Sequence, residues 1–334
     1  VVGVMPSLFR FLMYTVSFFI GWLLLKQGKR KLFLKIISSF TLAGVITTIL
    51  FGFDDVLSNN ISISSGQFRL SGQFEGHALA FAMYILVIFI LFYKLSLKQY
   101  QKDKKIIKIL ISYILLIGLI YLLFLSGSRL LLFSIIIVVS LDKLLSSSSF
   151  LKTLGSSVLV FLIIFSTYNF VMYTDLAPRM KWLINDGIEK ALLPRTLIAT
   201  EALSSFDYNN SVFGIGLGGF DRHYFSITGR PGVAAHNNYL QFFVEGGIVG
   251  LLSLFIFNLI VTIKLFYYSI KTDDVIIRLG LLLFVGIDII SFLNNNYYFP
   301  FSQSIVWLVL GASFCIIHER NRTASTPHSN WTLV

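Results

Sequence analysis

Residues 239–266 read YLQFFVEGGIVGLLSLFIFNLIVTIKLF, a run of 28 positions whose charged side chains are Glu245 and Lys264. About 20 apolar residues in a row are what a helix needs to cross the ~30 Å hydrocarbon core of a bilayer. Backbone polar groups in that core must be satisfied within the segment, so the run folds as an α-helix. Eight similar runs flank it, at 8–25, 32–53, 78–93, 106–125, 129–147, 151–172, 276–293 and 300–317. Of the 334 residues, 56% are hydrophobic and 13% charged, and the mean hydropathy is +0.80. So few charges cannot cover a water-soluble domain of this length. The reading is an all-α integral membrane protein of about nine transmembrane helices, with one long ordered external loop, 173–238, between the sixth and seventh. Residues 1–317 form a single polytopic domain and 318–334 a cytoplasmic tail. Phe9–Leu25 is too long for a secretory leader and lacks a small-residue cleavage site, so it reads as a spanning helix.

The net charge is +11. On a soluble protein this would suggest nucleic acid; here it fits the Lys/Arg excess of cytoplasmic loops, and no nucleic-acid partner is expected. Alternate loops collect 17 of the 27 basic residues, among them Lys26, Lys29, Arg30, Lys31, Lys271, Arg278, Arg320 and Arg322. The other loops hold Arg69, Arg129, Arg179, Lys181, Lys190, Arg195, Arg222 and Arg230. The first set is therefore cytoplasmic, and 54–77, 126–129, 173–238 and 294–299 face outward. Val1 is then outside, which without a leader points to upstream helices that this sequence lacks. The single cysteine, Cys315, allows no intrachain disulfide and reads as a small core residue.

Polar groups in or beside a membrane are costly unless they have a role, and they cluster on the outward side. FRLSGQFEGHALA (68–80) joins Arg69, a glycine turn and His77 just before the third span. Its arginine can hold an anion or snorkel at the interface. Ser126-Gly127-Ser128-Arg129 separates two spans with almost no loop. A guanidinium there suits phosphate oxygens, or equally the carbonyls of a tight turn. The external loop carries Trp182, Phe206, Phe213, Phe220 and Tyr224, so it should be ordered. Its FGIGLGGF (213–220) lacks the βαβ context of a dinucleotide fingerprint and reads as an anion-approaching or plain turn. His236-Asn237-Asn238-Tyr239-Leu240 opens the helix entering the membrane. The N-terminal end of a helix disfavours imidazolium, so His236 would stay neutral and able to accept a proton; simple capping is the alternative. Asn237, Gln241 and Glu245 fall at i, i+4 and i+8, a polar stripe below it. Gly246 and Gly250 form a small-residue pair suited to close helix packing. Glu201 and Asp207 show no partner, and His223, His318 and His328 lack metal-ligand spacing, so no metal is expected.

RLSGQFEGHALA, SGSR, PRTLIATEAL, FGIGLGGF and HNNYLQFFVEGGIVGLL, in this order over roughly 65–317, resemble the O-antigen ligase/polymerase family of bacterial membrane glycosyltransferases. The resemblance implies transfer of a polyprenyl-diphosphate-linked glycan to an acceptor hydroxyl on the outer face of the cytoplasmic (inner) membrane, with inversion and without a metal or other cofactor. It makes His236 the general base and Arg69, Arg129 and Arg195 the diphosphate-binding residues, with Asn237, Gln241 and Glu245 in support. The partners implied are the lipid-linked donor, a glycan or lipid acceptor, and membrane lipids. The chain departs from the family where His77 replaces a frequent Asn and Ala199 a frequent Trp.

Ligase and polymerase differ in acceptor, a lipid core or protein in one case and a second lipid-linked glycan in the other. A transporter is the alternative of another class, but its ionisable groups would lie mid-membrane, where here Asp288 and Lys35 are exceptions. A non-catalytic scaffold would need no base.

Overall fold

A computed structural model of the chain describes residues 4–57, 62–64, 67–69, 78–103, 106–126, 128–146, 195–233, 235–291 and 300–325, together with Val158, Phe161, Leu162 and Phe165. The helices are α1 (Val4–Lys26), α2 (Arg30–Leu57), α3 (Ala78–Asp103), α4 (Ile106–Leu125), α5 (Arg129–Ser146), α6 (Tyr208–Phe213), α7 (Phe220–Thr228), α8 (Asn238–Thr272), α9 (Val275–Ser291) and α10 (Pro300–Ser325). Residues 195–203 are also helical. Eight of the nine expected spans coincide with α1–α5 and α8–α10. Four helices, over Ser7–Lys26, Arg30–Asp54, Asn238–Thr272 and Ser302–Thr323, are long and apolar enough to cross a membrane; Leu79–Leu95 and Leu110–Leu123 are shorter apolar helices. The expected 151–172 span lies outside the described residues apart from four helical positions, as do His77, 173–194 and 294–299.

The described residues bear out the all-α reading but for one small pairing, in which β1 (Ser62–Ser64) and β2 (Gln67–Arg69) are antiparallel with Ser62 opposite Arg69. Alternating Ile and Ser followed by a Ser-Gly pair in the sequence is a hairpin signal on a small scale. Helix α10 runs to Ser325, into the expected 318–334 tail.

The core follows from helices that are apolar all round. Phe81 to Phe92 of α3 and most of α9 are buried, packed with α4, α5 and α10. On the rim the pattern inverts. Leu12, Phe19 and Leu23 of α1, Ile46 and Leu50 of α2, and Ile256, Ile260 and Ile263 of α8 are exposed. Such continuous apolar surface is tolerable only against lipid.

One end of the bundle is tied by charge. Arg30 donates to both oxygens of Asp274 at 2.8 and 3.1 Å, and Arg320 approaches the same carboxylate at 3.7 Å. Arg278 pairs with Asp273 at 2.6 Å and donates to the Leu145 carbonyl at 3.0 Å. Nearby, Lys94 of α3 pairs with Asp142 of α5, which also accepts from the Tyr93 hydroxyl. These contacts bind α2, α3, α5, α9 and α10 at one level, called here the basic end.

Helices α1 and α10 run parallel, with Tyr14 stacked on Trp307 and Trp22 against His318. Their backbones touch. A Cβ on Gly21 would lie 1.9 Å from the Leu308 carbonyl oxygen, and one on Gly311 1.9 Å from that of Phe18. Glycine at both positions lets the helices meet without side chains between them.

Helix α8 is not one rod. Gly247 has φ 62 and ψ −161, which divides it into 238–246 and 248–272. A straight helix would separate Tyr239 from Asn258 by ~28 Å. Instead Asn258 donates to the Tyr239 hydroxyl at 3.2 Å. A Cβ on Gly250 would meet the Phe242 carbonyl oxygen at 2.8 Å. The first piece therefore folds back along the second. The expected 239–266 span is therefore divided at Gly247, and 248–272, ~37 Å long, is the piece long enough to cross a ~30 Å layer.

Gly311→Leu should prise α1 from α10. Because the clash is with backbone, a loss of ~3 kcal/mol or more is expected, read as a lower melting temperature of the detergent-solubilised protein. Asp274 gives a pH signature. Burial works to raise its pKa, but the bonds from Arg30 and the amides of Ile276 and Ile277 outweigh it and hold the carboxyl below its usual value. Its stabilisation is thus complete above the unfolded value of about 3.9 and fades as pH falls through the folded one. Thermal stability should drop below that pH in the wild type and much less in Asp274→Asn.

Candidate functional site at the end opposite the basic cluster

The chain enters α8 through Ala235, His236 and Asn237. His236 has φ 52, the left-handed region. For a residue with a Cβ this costs ~1 kcal/mol or more, and such strain collects at functional sites. Its side chain is exposed. Asn237 is the N-cap, in extended conformation, accepting from the Leu240 amide at 3.1 Å. It therefore does not belong to the expected stripe. Asn238 takes that place, and Asn238, Gln241 and Glu245 form the buried polar face of the short helix.

Below this face lies a second polar group. Asn238 donates to Ser291 at 3.1 Å, and Asp288 accepts from Tyr239 at 3.2 Å and from Asn258 at 2.6 Å. A cavity of about 20 Å³ beside it is lined by Asn258, Asp288, Ser291 and Gln303. Asp288, Asn258 and Ser291 all stand ~20–24 Å along their helices from the basic end. The mouth of α8 with His236 is thus held at the end of the bundle away from the ion pairs.

The glycines of FGIGLGGF form a turn whose amides meet an anion within the protein. The amides of Ile215 and Gly216 donate to the carbonyls of Val244 and Glu245 at 3.0 and 2.9 Å, satisfying the carbonyls left open where the short helix ends. In return, the Glu245 carboxylate accepts from the Gly218 amide at 2.9 Å, the Phe220 amide at 3.4 Å and Gln241 at 2.9 Å. The anion met by this glycine turn is the protein's own Glu245. Close approach explains the residue choice. A Cβ on Gly214 (φ 72) would fall 2.3 Å from Glu245 backbone, and one on Gly247 2.1 Å from the Val212 carbonyl oxygen. Of the expected Gly246–Gly250 packing pair, Gly250 makes a close approach to the Phe242 carbonyl, while a Cβ on Gly246 would meet nothing within 4 Å among the described residues.

The rest of the loop folds over this junction around a small core of Ala202, Phe220, Tyr224, Ala235 and Val244. Phe206 stacks on Phe243 and meets the His223 ring edge-on. The two carboxylates read as unpartnered have partners. Glu201 accepts from the Tyr224 hydroxyl and lies 3.9 Å from Arg230, and Asp207 caps α6 through the Asn210 amide at 2.7 Å. His223 contacts the Ala202 carbonyl at 2.9 Å.

Arg195 begins the 195–203 segment, whose Ile198 and Ala202 join this core. It is half-buried, and burial lowers its pKa from the usual arginine value; a guanidinium stays charged regardless. Arg129 is the first residue of α5, whose last residues meet Arg278 at the basic end. Its backbone therefore lies ~27 Å away, toward the end that holds His236. Arg69 closes β2, ahead of α3. The side chains of Arg69 and Arg129 lie outside the described residues.

Sequence reasoning missed Asn238 and Arg10. Arg10 of α1 lines a cleft with Tyr14, Leu217, Asn238, Gln241 and Glu245. A lone arginine near the start of a span is itself a signal. Among the described residues no group of three or more His, Cys, Asp or Glu is arranged to hold a metal ion.

Glu245→Ala should free the Gly218 and Phe220 amides. One buried and one half-buried donor left unmatched, at ~1–3 kcal/mol for the buried one, predict hydrogen exchange across 215–220 faster by roughly 10- to 100-fold. Glu245→Gln, which keeps one acceptor oxygen, should fall between.

Residues 114–255 match the family model described as O-antigen ligase. The match takes in Arg129, Arg195, the glycine turn, His236 and Glu245, and leaves out Arg10, Arg69 and Asp288. No curated protein and no solved structure matches the chain.

Proposed function

We propose that this chain, a member of the O-antigen ligase/polymerase family through residues 114–255, transfers a glycan from a polyprenyl-diphosphate carrier to an acceptor hydroxyl. The observation that carries this reading is His236. It is held in a left-handed conformation at the mouth of a capped, folded-back helix, inside the family-matched region. The basic end is the cytoplasmic end by the Lys/Arg bias, so the site lies on the outer face of the inner membrane, where the diphosphate of a lipid carrier rests. The architecture is the nine-helix one, with 173–238 as the external loop.

A glycosyl diphosphate is an activated donor. Its enzyme must orient the acceptor, take its proton and balance the departing charge. Neutral His236 accepts the proton of the acceptor hydroxyl as the oxygen bonds to the anomeric carbon. The carbon–oxygen bond to the diphosphate breaks on the opposite face, and the configuration inverts. The diphosphate leaves as an anion, neutralised by Arg195 with Arg129 and Arg69. Asn237 caps the helix that presents His236. Gln241 and Glu245 act in support through the clamp on the glycine turn. This chemistry needs one base and several guanidinium groups, and no metal.

The acceptor is a lipid core or protein in the ligase reading and a second lipid-linked glycan in the polymerase reading. The transporter reading draws on one observation, the buried Asp288 bonded to Tyr239 and Asn258, and the family match weighs against it.

His236→Ala in the full-length protein should lower transfer by roughly 10²- to 10⁴-fold at unchanged membrane level. The assay is complementation of a null strain followed by gel analysis of surface glycans. A ligase null loses attachment, whereas a polymerase null keeps single attached units. Full activity of the variant would sink the general-base mechanism.

A further inference from the structure

Between Asp207 and Asp221 the loop runs for 13 residues without a charged side chain, YNNSVFGIGLGGF (208–220). Its apolar side chains divide into two sets. Ile215 and Phe220 pack into the small core beneath the loop. Tyr208 and Phe213, the two ends of α6, are 83% and 72% exposed. A surface that meets only water carries charge, and this one carries two bare aromatic rings. Helix α6 sits on the break in α8, since a Cβ on Gly247 would fall 2.1 Å from the Val212 carbonyl oxygen and 2.5 Å from the Phe213 amide nitrogen. Phe213 is therefore at the level where 248–272 begins. There Ile248, Val249 and Leu252 are exposed, the first members of the apolar strip that continues through Ile256, Ile260 and Ile263.

We infer that α6 is an interfacial anchor, with Tyr208 and Phe213 seated in the headgroup and upper acyl region of the membrane opposite the basic end; the partner of this surface is the lipid bilayer. Three observations select it. First, the depth is right. Helix 248–272 rises ~37 Å, a hydrocarbon layer is ~30 Å thick, and a bilayer with its headgroups is ~40–45 Å. Gly247 and the α6 backbone packed on it then fall in the headgroup layer. Second, the residue types are right. Aromatic side chains collect at this boundary, and the intervening Asn209, Asn210 and Ser211 can bond to headgroups without a charge to desolvate. Third, the surface continues a face already exposed to lipid, and six residues are few beside the ~20–30 a side that a stable protein partner engages. The anchor has a consequence for the site. Phe213 leads directly into Gly214 and the turn that clamps Glu245, so α6 ties the short helix that follows His236 to the plane of the membrane.

The test is a depth measurement by spin-label EPR on the full chain in phosphatidylcholine nanodiscs, one chain per disc. Cys315→Ala removes the single cysteine. Nitroxides are then attached singly at Tyr208→Cys and Phe213→Cys. Ile256→Cys on the exposed apolar strip of α8 and Arg222→Cys on the exposed surface of α7 serve as the lipid and water references. Collisions with oxygen, which partitions into lipid, are compared with collisions with a water-soluble nickel chelate. Both α6 labels should give oxygen-to-nickel ratios between the two references, at a depth of ~5–10 Å into the headgroup and acyl boundary. Ratios equal to that of Arg222→Cys would overturn the inference, because α6 would then face water. Low collision rates with both reagents would overturn it too, because protein would then cover the patch. Tyr208→Trp provides a second readout that needs no label. The emission it adds over the wild type should be quenched by phosphatidylcholine brominated near the top of the acyl chains, and unquenched emission would again overturn the anchor. Glycan transfer enters neither readout, so the result is independent of the general-base reading of His236.

Discussion

The reversal of the chain at Gly247 is the constraint on which the site depends. A helix that ends inside a protein leaves carbonyls without partners, and one that begins there leaves amides. Here the end of 238–246 and the start of α7 resolve each other's deficit. Loop amides cap the carbonyls of Val244 and Glu245, and the Glu245 side chain caps the amides of Gly218 and Phe220. The arrangement requires backbone-to-backbone contact, which explains Gly214 and Gly247. Because the short helix is fixed at its far end by the glycine turn and near its mouth by Ser291 and Asp288, the loop bearing His236 has little freedom.

The two ends of the bundle solve different problems. At the basic end, buried or half-buried ion pairs join helix termini. Such pairs lose much of their Coulomb energy to desolvation, and they serve here to keep five elements in register. At the other end Glu201 and Arg230 lie 3.9 Å apart. Glu245 is satisfied by neutral N–H donors, and Arg195 is half-buried. Between the ends, α1 and α10 rely on contact alone, since hydrocarbon offers no hydrophobic gain for association and close glycine packing replaces it. The same α1 carries Arg10 and Tyr14 to the cleft beside the short helix.

Much of this was legible in the sequence, and the misses have physical reasons. Helix positions followed from apolar run length, because a bilayer imposes one length on every span. His236, Gln241 and Glu245 stood out as polar residues at the mouth of an apolar helix. Asn237 was misplaced by one residue in role, since helical spacing cannot tell a cap from a first turn. Glu201 and Asp207 seemed unpartnered because Tyr224, Arg230 and the Asn210 amide are brought to them by the folding of the loop. The β-hairpin at Arg69 is too short for period-2 alternation to compete with its surroundings.

What the sequence by itself determined is the solvent of each segment. Run length and the distribution of charge decide which residues meet lipid, and the order of a few motifs carries the resemblance to a family. What only tertiary structure decided is the direction of the chain at Gly247 and everything that follows from it. A glycine run reads the same whether it cradles a phosphate or packs against another backbone. The choice depends on which group arrives to meet the free amides, and here that group is Glu245, about 27 residues further along the chain and adjacent only because the helix turns back.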